Sequence, residues 1–291
     1  MAFRLQPDEA ITPGLRRVVA EQYDLAMEHL SGPAHLRQHA VHETRKSFKR
    51  VRSLLRMLRK EMKSVFTEEN ARIRDLSALL SPYRDADAML ETLEKLHHAF
   101  PDILDTKMHD VAYRSLLDAR DNQLASGDGY AHDAQRVIGQ LRKARANVAN
   151  WPLPRDLEHI IPILRRTYKR ARQAAKQAKR TQHIEDFHTW RKRVKDLQYQ
   201  TQLLQETPAG LKREFRQALK SLAELLGNHH DLSILEELLE SPEIFPDQQH
   251  AAEVRPLVQQ HRQALEQEAL QAGKKLFELP AKQAFPLTDS A

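Results

Sequence analysis

Two stretches of this chain carry the same arrangement of side chains able to bind anions. His42, Arg45, Lys46 and Lys49 stand in the order H-x-x-R-K-x-x-K, and His188, Arg191, Lys192 and Lys195 repeat that order 146 positions later. An arginine grips phosphate oxygens with two parallel N–H groups, while a lysine acts as a mobile point charge. On a helix of 3.6 residues per turn, His42, Arg45, Lys46, Lys49, Arg52 and Arg56 share one face or its edges, a row about 21 Å long. Phe48, Val51, Leu54, Leu55 and Leu58 fall on the other side and can enter a core. In the second copy Val194 and Leu197 turn inward in the same way. A third basic helix spans Arg165 to Arg180, with eight basic residues and no acid. Its Arg165, Lys169, Arg172, Lys176 and Lys179 cluster on one side, and Leu164, Tyr168, Ala171, Ala175 and Ala178 form a narrow apolar stripe.

A helix face that is merely solvated usually mixes its signs, so that i,i+4 ion pairs form. From His42 to Lys60 there are eight Lys or Arg and one acid, Glu43. Acids gather elsewhere, at Asp85, Asp87, Glu91 and Glu94 and at Glu236, Glu237 and Glu240. Segregation of this kind makes a strong local positive field although the net charge is only +6. It points to an anionic ligand along the basic rows, with the paired histidines either touching it or hydrogen-bonding within the fold. Asp85 and Asp231 are expected at helix starts, after Ser81-Pro82 and near Asn228, where an acid favours the helix dipole.

Signs of catalysis are thin. The chain has no G-x-x-x-x-G-K-[ST] phosphate loop, no H-E-x-x-H and no G-x-S-x-G. It has no cysteine, which excludes disulfides and thiolate metal sites. His35, His39 and His42 have spacings that could converge on a metal, but no carboxylate completes the set. No catalytic residue, metal or cofactor is expected, and the reading is of a binding protein rather than an enzyme.

The elements that must position these rows are helices. The 291 residues include only 8 Gly, 6% are aromatic, and helix formers dominate. Periodicity predicts helices at 13–30, 38–62, 67–98 with a break near Ser81-Pro82, 103–126, 131–148, 156–180, 184–206, 211–240 with a break near Gly227, and 249–278. No stretch approaches the ~20 apolar residues of a membrane span, and no signal peptide is evident. A soluble, cytoplasmic protein is expected. A second pair of segments keeps the offset of 146: Leu79-Leu80-Ser81-Pro82-Tyr83-Arg84-Asp85 against Leu225-Leu226-Gly227-Asn228-His229-His230-Asp231. Two matches in one register predict an internal duplication, with a first helical half over 1–130, a connecting helix and linker over 131–155, and a second half over 156–291.

Taken together, the two H-x-x-R-K-x-x-K helices, these two leucine-led segments and Leu164-Arg165-Arg166-Thr167-Tyr168-Lys169-Arg170-Ala171-Arg172 resemble the CHAD family, the conserved-histidine α-helical domains. The resemblance covers nearly the whole chain. It implies an all-α fold of two antiparallel helical bundles related by pseudo-two-fold symmetry around a basic central channel. It also implies binding of inorganic polyphosphate and association with polyphosphate granules, alongside other granule proteins. The family's basic positions correspond to His42, Arg45, Lys46, Lys49, Arg52, His188, Arg191, Lys192 and Lys195, with Tyr168 and Arg172 matching its preceding basic helix. Gln198 departs from the pattern, standing where the first half has Arg52. The E-x-E-x-K motif of the triphosphate tunnel domain that often accompanies the family is absent, so a stand-alone form is expected. Two other readings stand beside this one. One is nucleic-acid binding, which the scarcity of aromatics among the basic rows disfavours. The other is a metal-dependent polyphosphate-processing enzyme built on Asp85, Asp87 and Asp231.

Overall fold

A computed structural model describes residues 3–124, 129–207 and 212–286. The described residues form an all-α structure. From the N-terminus come α1 (Ile11–Leu30), α2 (Arg37–Met57), the single turn α3 (Arg59–Met62), α4 (Ser64–Leu79), α5 (Pro82–Ala99) and α6 (Thr106–Leu124). Then come α7 (Gly129–Asn147), α8 (Leu157–Thr181), α9 (Ile184–Leu203), α10 (Arg213–Leu238), α11 (Gln248–Leu276) and the short α12 (Ala281–Ala284). No helix among the described residues is long and apolar enough to cross a membrane.

Two apolar cores organise these helices. The larger takes Val18 and Tyr23 of α1, Phe48 and Val51 of α2, Leu141 of α7, Tyr168 of α8, Trp190 and Val194 of α9 and Leu222 of α10. The smaller joins Leu93 and Leu96 of α5 and Leu116 of α6 to Leu235 of α10 and Val254 of α11. The inward residues expected of α2, α8 and α9 are buried, including Leu54, Leu55, Leu58, Leu164, Ala171, Ala178 and Leu197, with Ala175 only partly covered. Burying each such aliphatic side chain contributes about 1.5–3 kcal/mol before chain entropy is charged against it. Helix α7 packs back on α1 and α4.

Several boundaries differ from the sequence reading. The break at Ser81-Pro82 is real, with Pro82 opening α5, but the Ser81 hydroxyl makes no capping bond and donates to the Ser77 carbonyl at 3.1 Å. At Gly227 there is no break: α10 runs unbroken from Arg213 to Leu238. A lone glycine weakens a helix by about 1 kcal/mol relative to alanine, which the buried Leu222, Leu226 and Leu232 on either side outweigh. Asn228 is therefore not a cap, and Asp231 lies mid-helix rather than at a helix start. The first basic helix stops at Met57 and resumes as α3 before Lys63 turns the chain with a left-handed φ of 48°.

Candidate functional site

The contact between α2 and α9 is polar at its centre. Ser53 Oγ donates to the Asp196 carbonyl at 3.2 Å, and Gln200 Nε2 donates to the Ser53 carbonyl at 3.3 Å. A small serine lets the backbones approach closely there. On its far side α9 is anchored by the buried Trp190, which lies against Gly273 of α11; a β-carbon on Gly273 would stand 2.6 Å from the Trp190 ring. Glycine is thus required at 273 by close packing. That seat fixes the rotation of α9 and turns Arg191 and Lys195 toward α2.

The two repeated motifs meet on one side of this contact. His42, Arg45, Lys46 and Lys49 of α2, with Arg84 of α5 and Tyr199 of α9, line a cavity of about 170 Å³ without a carboxylate among them. Lys49 lies close enough to Arg191 and Lys195 for their charges to act on it. Burial, then the charges of Arg45, Arg191, Arg84 and Lys195, hold its ammonium down to about 8. Its side chain is nonetheless exposed, so water screens part of this shift, and the crowd of like charges is its firmer cause. Lys195 is lowered by burial and by Arg191 and Lys95, against the opposing Glu224.

The histidines belong to the same group. His188 and His230 lie 4.6 Å apart, ring centroid to centroid. Burial lowers His188, reinforced by Lys192 and Arg191; burial lowers His230 to about 4, reinforced by Arg191 and His188. Burial and then Arg84 lower His42. Neighbouring His229 turns the opposite way. Its Nε2 is 3.0 Å from Glu266, whose carboxylate also accepts from Arg262 at 2.6 Å. This buried network locks α10 to α11 and leaves His230 to face the cations.

Some of these cations have partners in the protein. Lys46 Nζ donates to Glu43 at 2.9 Å, Arg84 Nη2 to Glu91 at 2.5 Å and Arg45 Nη1 to Ser81 Oγ at 2.8 Å. Some donors nonetheless stay unsatisfied. Arg191 Nε and Arg84 Nη1 are buried without a hydrogen-bond partner. Lys192 is exposed at the edge.

The structure does not gather all the sequence-derived residues here. α9 divides the row on α2. Arg52 and Arg56 lie in a different cleft, with Arg193 and Asp196, lined from the other face of α9. Arg165 donates to the Phe285 carbonyl at 2.8 Å, Arg172 lines a groove with Lys274 and Lys275 of α11, and Lys169 is exposed. The face of α8 turned toward the Arg52 cleft carries Arg170 and Arg180, with Lys176 of the sequence-derived row at its edge, where it also lines the α11 groove. Sequence reasoning missed Arg84 and His230 as site residues, although the register of 146 pairs them and both stand in the quoted segments. The side chain of Asp85 lies outside the described residues. Asp87 is buried 3.7 Å from Arg120, and burial raises its carboxyl. Asp231 accepts a hydrogen bond from Lys95.

An all-helical fold whose two H-x-x-R-K-x-x-K helices meet in a cationic cluster defines a class, and the comparisons agree with it. The family model described as the CHAD domain matches residues 17–240. The chain belongs to the CHAD family. Among solved structures it is similar to the crystal structure of the CHAD domain from the plant Ricinus communis, with 19% identity and a TM-score of 0.57 over 96% of this chain and 95% of that one. At that identity the likeness concerns the fold. No curated protein matches the sequence.

Proposed function

We propose that this protein binds inorganic polyphosphate, or a similar linear polyanion, at the α2–α9 cluster, without chemical turnover. The observation that carries this reading is the meeting of Lys49 with Arg191 and Lys195, cations from two separate motifs whose charges weaken one another. Like charges brought together in a partly dry site repel strongly, and a ligand with closely spaced negative charges relieves that cost. Arg191 Nε and Arg84 Nη1 lack an acceptor in the free protein, so a small shift of either guanidinium toward a bound phosphate gains a hydrogen bond. A flexible polyphosphate chain presents about one charge per unit to such a surface and needs no sequence reading. On this reading both halves grip one polymer, and the protein joins polyphosphate granules in the cytoplasm through it.

The test is titration of long and short polyphosphate into the protein and into two triple variants, Arg45→Ala/Lys46→Ala/Lys49→Ala and Arg191→Ala/Lys192→Ala/Lys195→Ala. Each triple should weaken the long polymer strongly, because linked sites gain from effective concentration. Two independent sites of unchanged affinity, with stoichiometry halved by either triple, would rule out a shared site. Phosphate release from polyphosphate with Mg²⁺ or Mn²⁺, abolished by Asp231→Asn, would overturn the absence of turnover.

A further inference from the structure

Across α9 from the cluster lies a cleft of about 820 Å³, within the ~300–1,000 Å³ range of small-molecule sites. Six arginines, Arg52, Arg56, Arg59, Arg170, Arg180 and Arg193, line it with Lys176, and Asp196 is its carboxylate. Several of these arginines are tied to partners within the protein. Arg56 Nε donates to both Asp196 oxygens at 3.1 Å, its Nη2 also donates to that carboxylate, and Arg193 Nη1 stands 3.8 Å away. Arg52 Nε donates to Asn70 Oδ1 at 3.2 Å. Guanidinium groups fixed through one edge keep their remaining N–H groups for another acceptor.

One lining residue asks for something a bare phosphate chain does not have. Gln200 is 2% exposed, and its Oε1 is buried without a hydrogen-bond donor. The amide cannot simply be turned over, because its Nε2 already donates to the Ser53 carbonyl and reversal would set two acceptors face to face. An ionised polyphosphate carries acceptors only. A ligand that satisfies both the arginines and Gln200 brings phosphates together with a hydrogen-bond donor, such as a hydroxyl. Thr167 and Thr189 line the same cleft and can pair with further hydroxyls.

We propose that this cleft is a second anion site, distinct from the polyphosphate cluster, for a compact polyol phosphate. Its phosphates sit among the arginines of the cleft and one hydroxyl donates to Gln200 Oε1. The inference stands apart from the polyphosphate reading, since the residues are different and lie on the opposite face of α9.

Calorimetric titration with inositol 1,4,5-trisphosphate, set beside inorganic tripolyphosphate, tests it. The inositol compound should bind the intact protein more tightly than the tripolyphosphate. The exposed pair Arg170→Ala/Arg180→Ala should weaken inositol trisphosphate about tenfold or more, as loss of charge-assisted bonds implies, while leaving long polyphosphate nearly unchanged. The Arg45/Lys46/Lys49 triple should do the reverse. Gln200→Met should erase the preference for the inositol compound. If Gln200→Met does not fold, the Arg170/Arg180 pair on the surface still decides the matter. No binding of inositol trisphosphate, or binding lost only in the α2 triple, would overturn the site. Equal affinity for tripolyphosphate in the cleft would overturn its assignment to a polyol.

Discussion

The two basic regions flanking α9 draw on the same helix, α2, yet they are built on opposite principles. In the cluster, Lys49, Lys195, His188 and His230 crowd together and burial with mutual charge lowers all four. In the cleft, Asp196 is 7% exposed and takes Arg56 as a multiply bonded partner. One region concentrates positive charge at a cost to the free protein; the other fixes Arg56 and Arg193 with an internal acid. A basic surface can thus be a reservoir of repulsion for a ligand to relieve or a rigid frame, and the position of one carboxylate decides which.

The largest way to break the contrast is on the cluster side. Removing Arg45, Lys46 and Lys49 together should lower affinity for long polyphosphate by about 100-fold at low salt, taking ~1 kcal/mol or more for each charge-assisted contact. The same measurement at rising salt should show a steep linear fall of log affinity with log salt in the intact protein and a shallower one in the variant. A salt slope unchanged by the triple would mean that these residues do not meet the polymer.

On the cleft side the corresponding change acts on stability. Asp196→Ala leaves Arg56 and Arg193 without their acid, and should lower unfolding stability by about 1–3 kcal/mol, the cost of orphaned partly buried hydrogen-bonding groups. Lys49→Met should act in the other direction and raise the thermal midpoint of the free protein, because it removes a charge that its neighbours oppose. Thermal unfolding of both variants without ligand checks the pair. A fall for Lys49→Met as large as that for Asp196→Ala would show the cluster to be no less compensated than the cleft.

Proton linkage sharpens the comparison further. Lys49 sits near 8 in the folded state and at 10.5 ordinarily, so between those values the unfolded chain holds more protons. Its contribution to stability therefore improves as pH rises from about 8 toward 10.5. For His230, the window runs from about 4 to 6.5, and its contribution worsens as pH falls through it. A bound polyanion should raise both groups, so binding near pH 8 and near pH 5 should take up protons, and affinity should grow as pH falls. Binding heats measured in buffers of different ionisation enthalpy give the proton count. No uptake at either pH would contradict a ligand beside Lys49 and His230.

The sequence made the cluster legible because two motifs kept one register and each carried its own apolar face: Phe48 and Val51 below Lys49, Val194 and Leu197 below Lys195. Periodicity along one helix says which residues share a face, but not which helix crosses that face. Hence the row from His42 to Arg56 read as continuous, although α9 meets it at Ser53 and separates Arg52 and Arg56 from the rest. The same limit hid Arg84 and His230, which join the site only because α5 and α10 pack beside α2 and α9. Gly227 was misleading for a different reason: its local cost is small beside the apolar contacts of the helix that holds it.

The smallest expected effect belongs to the third basic helix, and it tests the geometry from outside. Arg165, Lys169 and Arg172 fall about 100° around α8 from Arg166 and Arg170, at 100° per residue. Arg165 is bound to the Phe285 carbonyl and Arg172 faces α11. Exposed charges beyond about 8–10 Å at physiological salt are largely screened, so Lys169→Ala should change polyphosphate affinity by less than about twofold. It should change the thermal midpoint hardly at all, because Lys169 is exposed and carries no packing. Titration of Lys169→Ala beside Lys49→Ala at one salt concentration makes the comparison direct. Equal losses in the two variants would mean that the polymer follows α8 rather than the junction of α2 and α9, and the distinction between a repulsive cluster and the rest of the basic surface would fail.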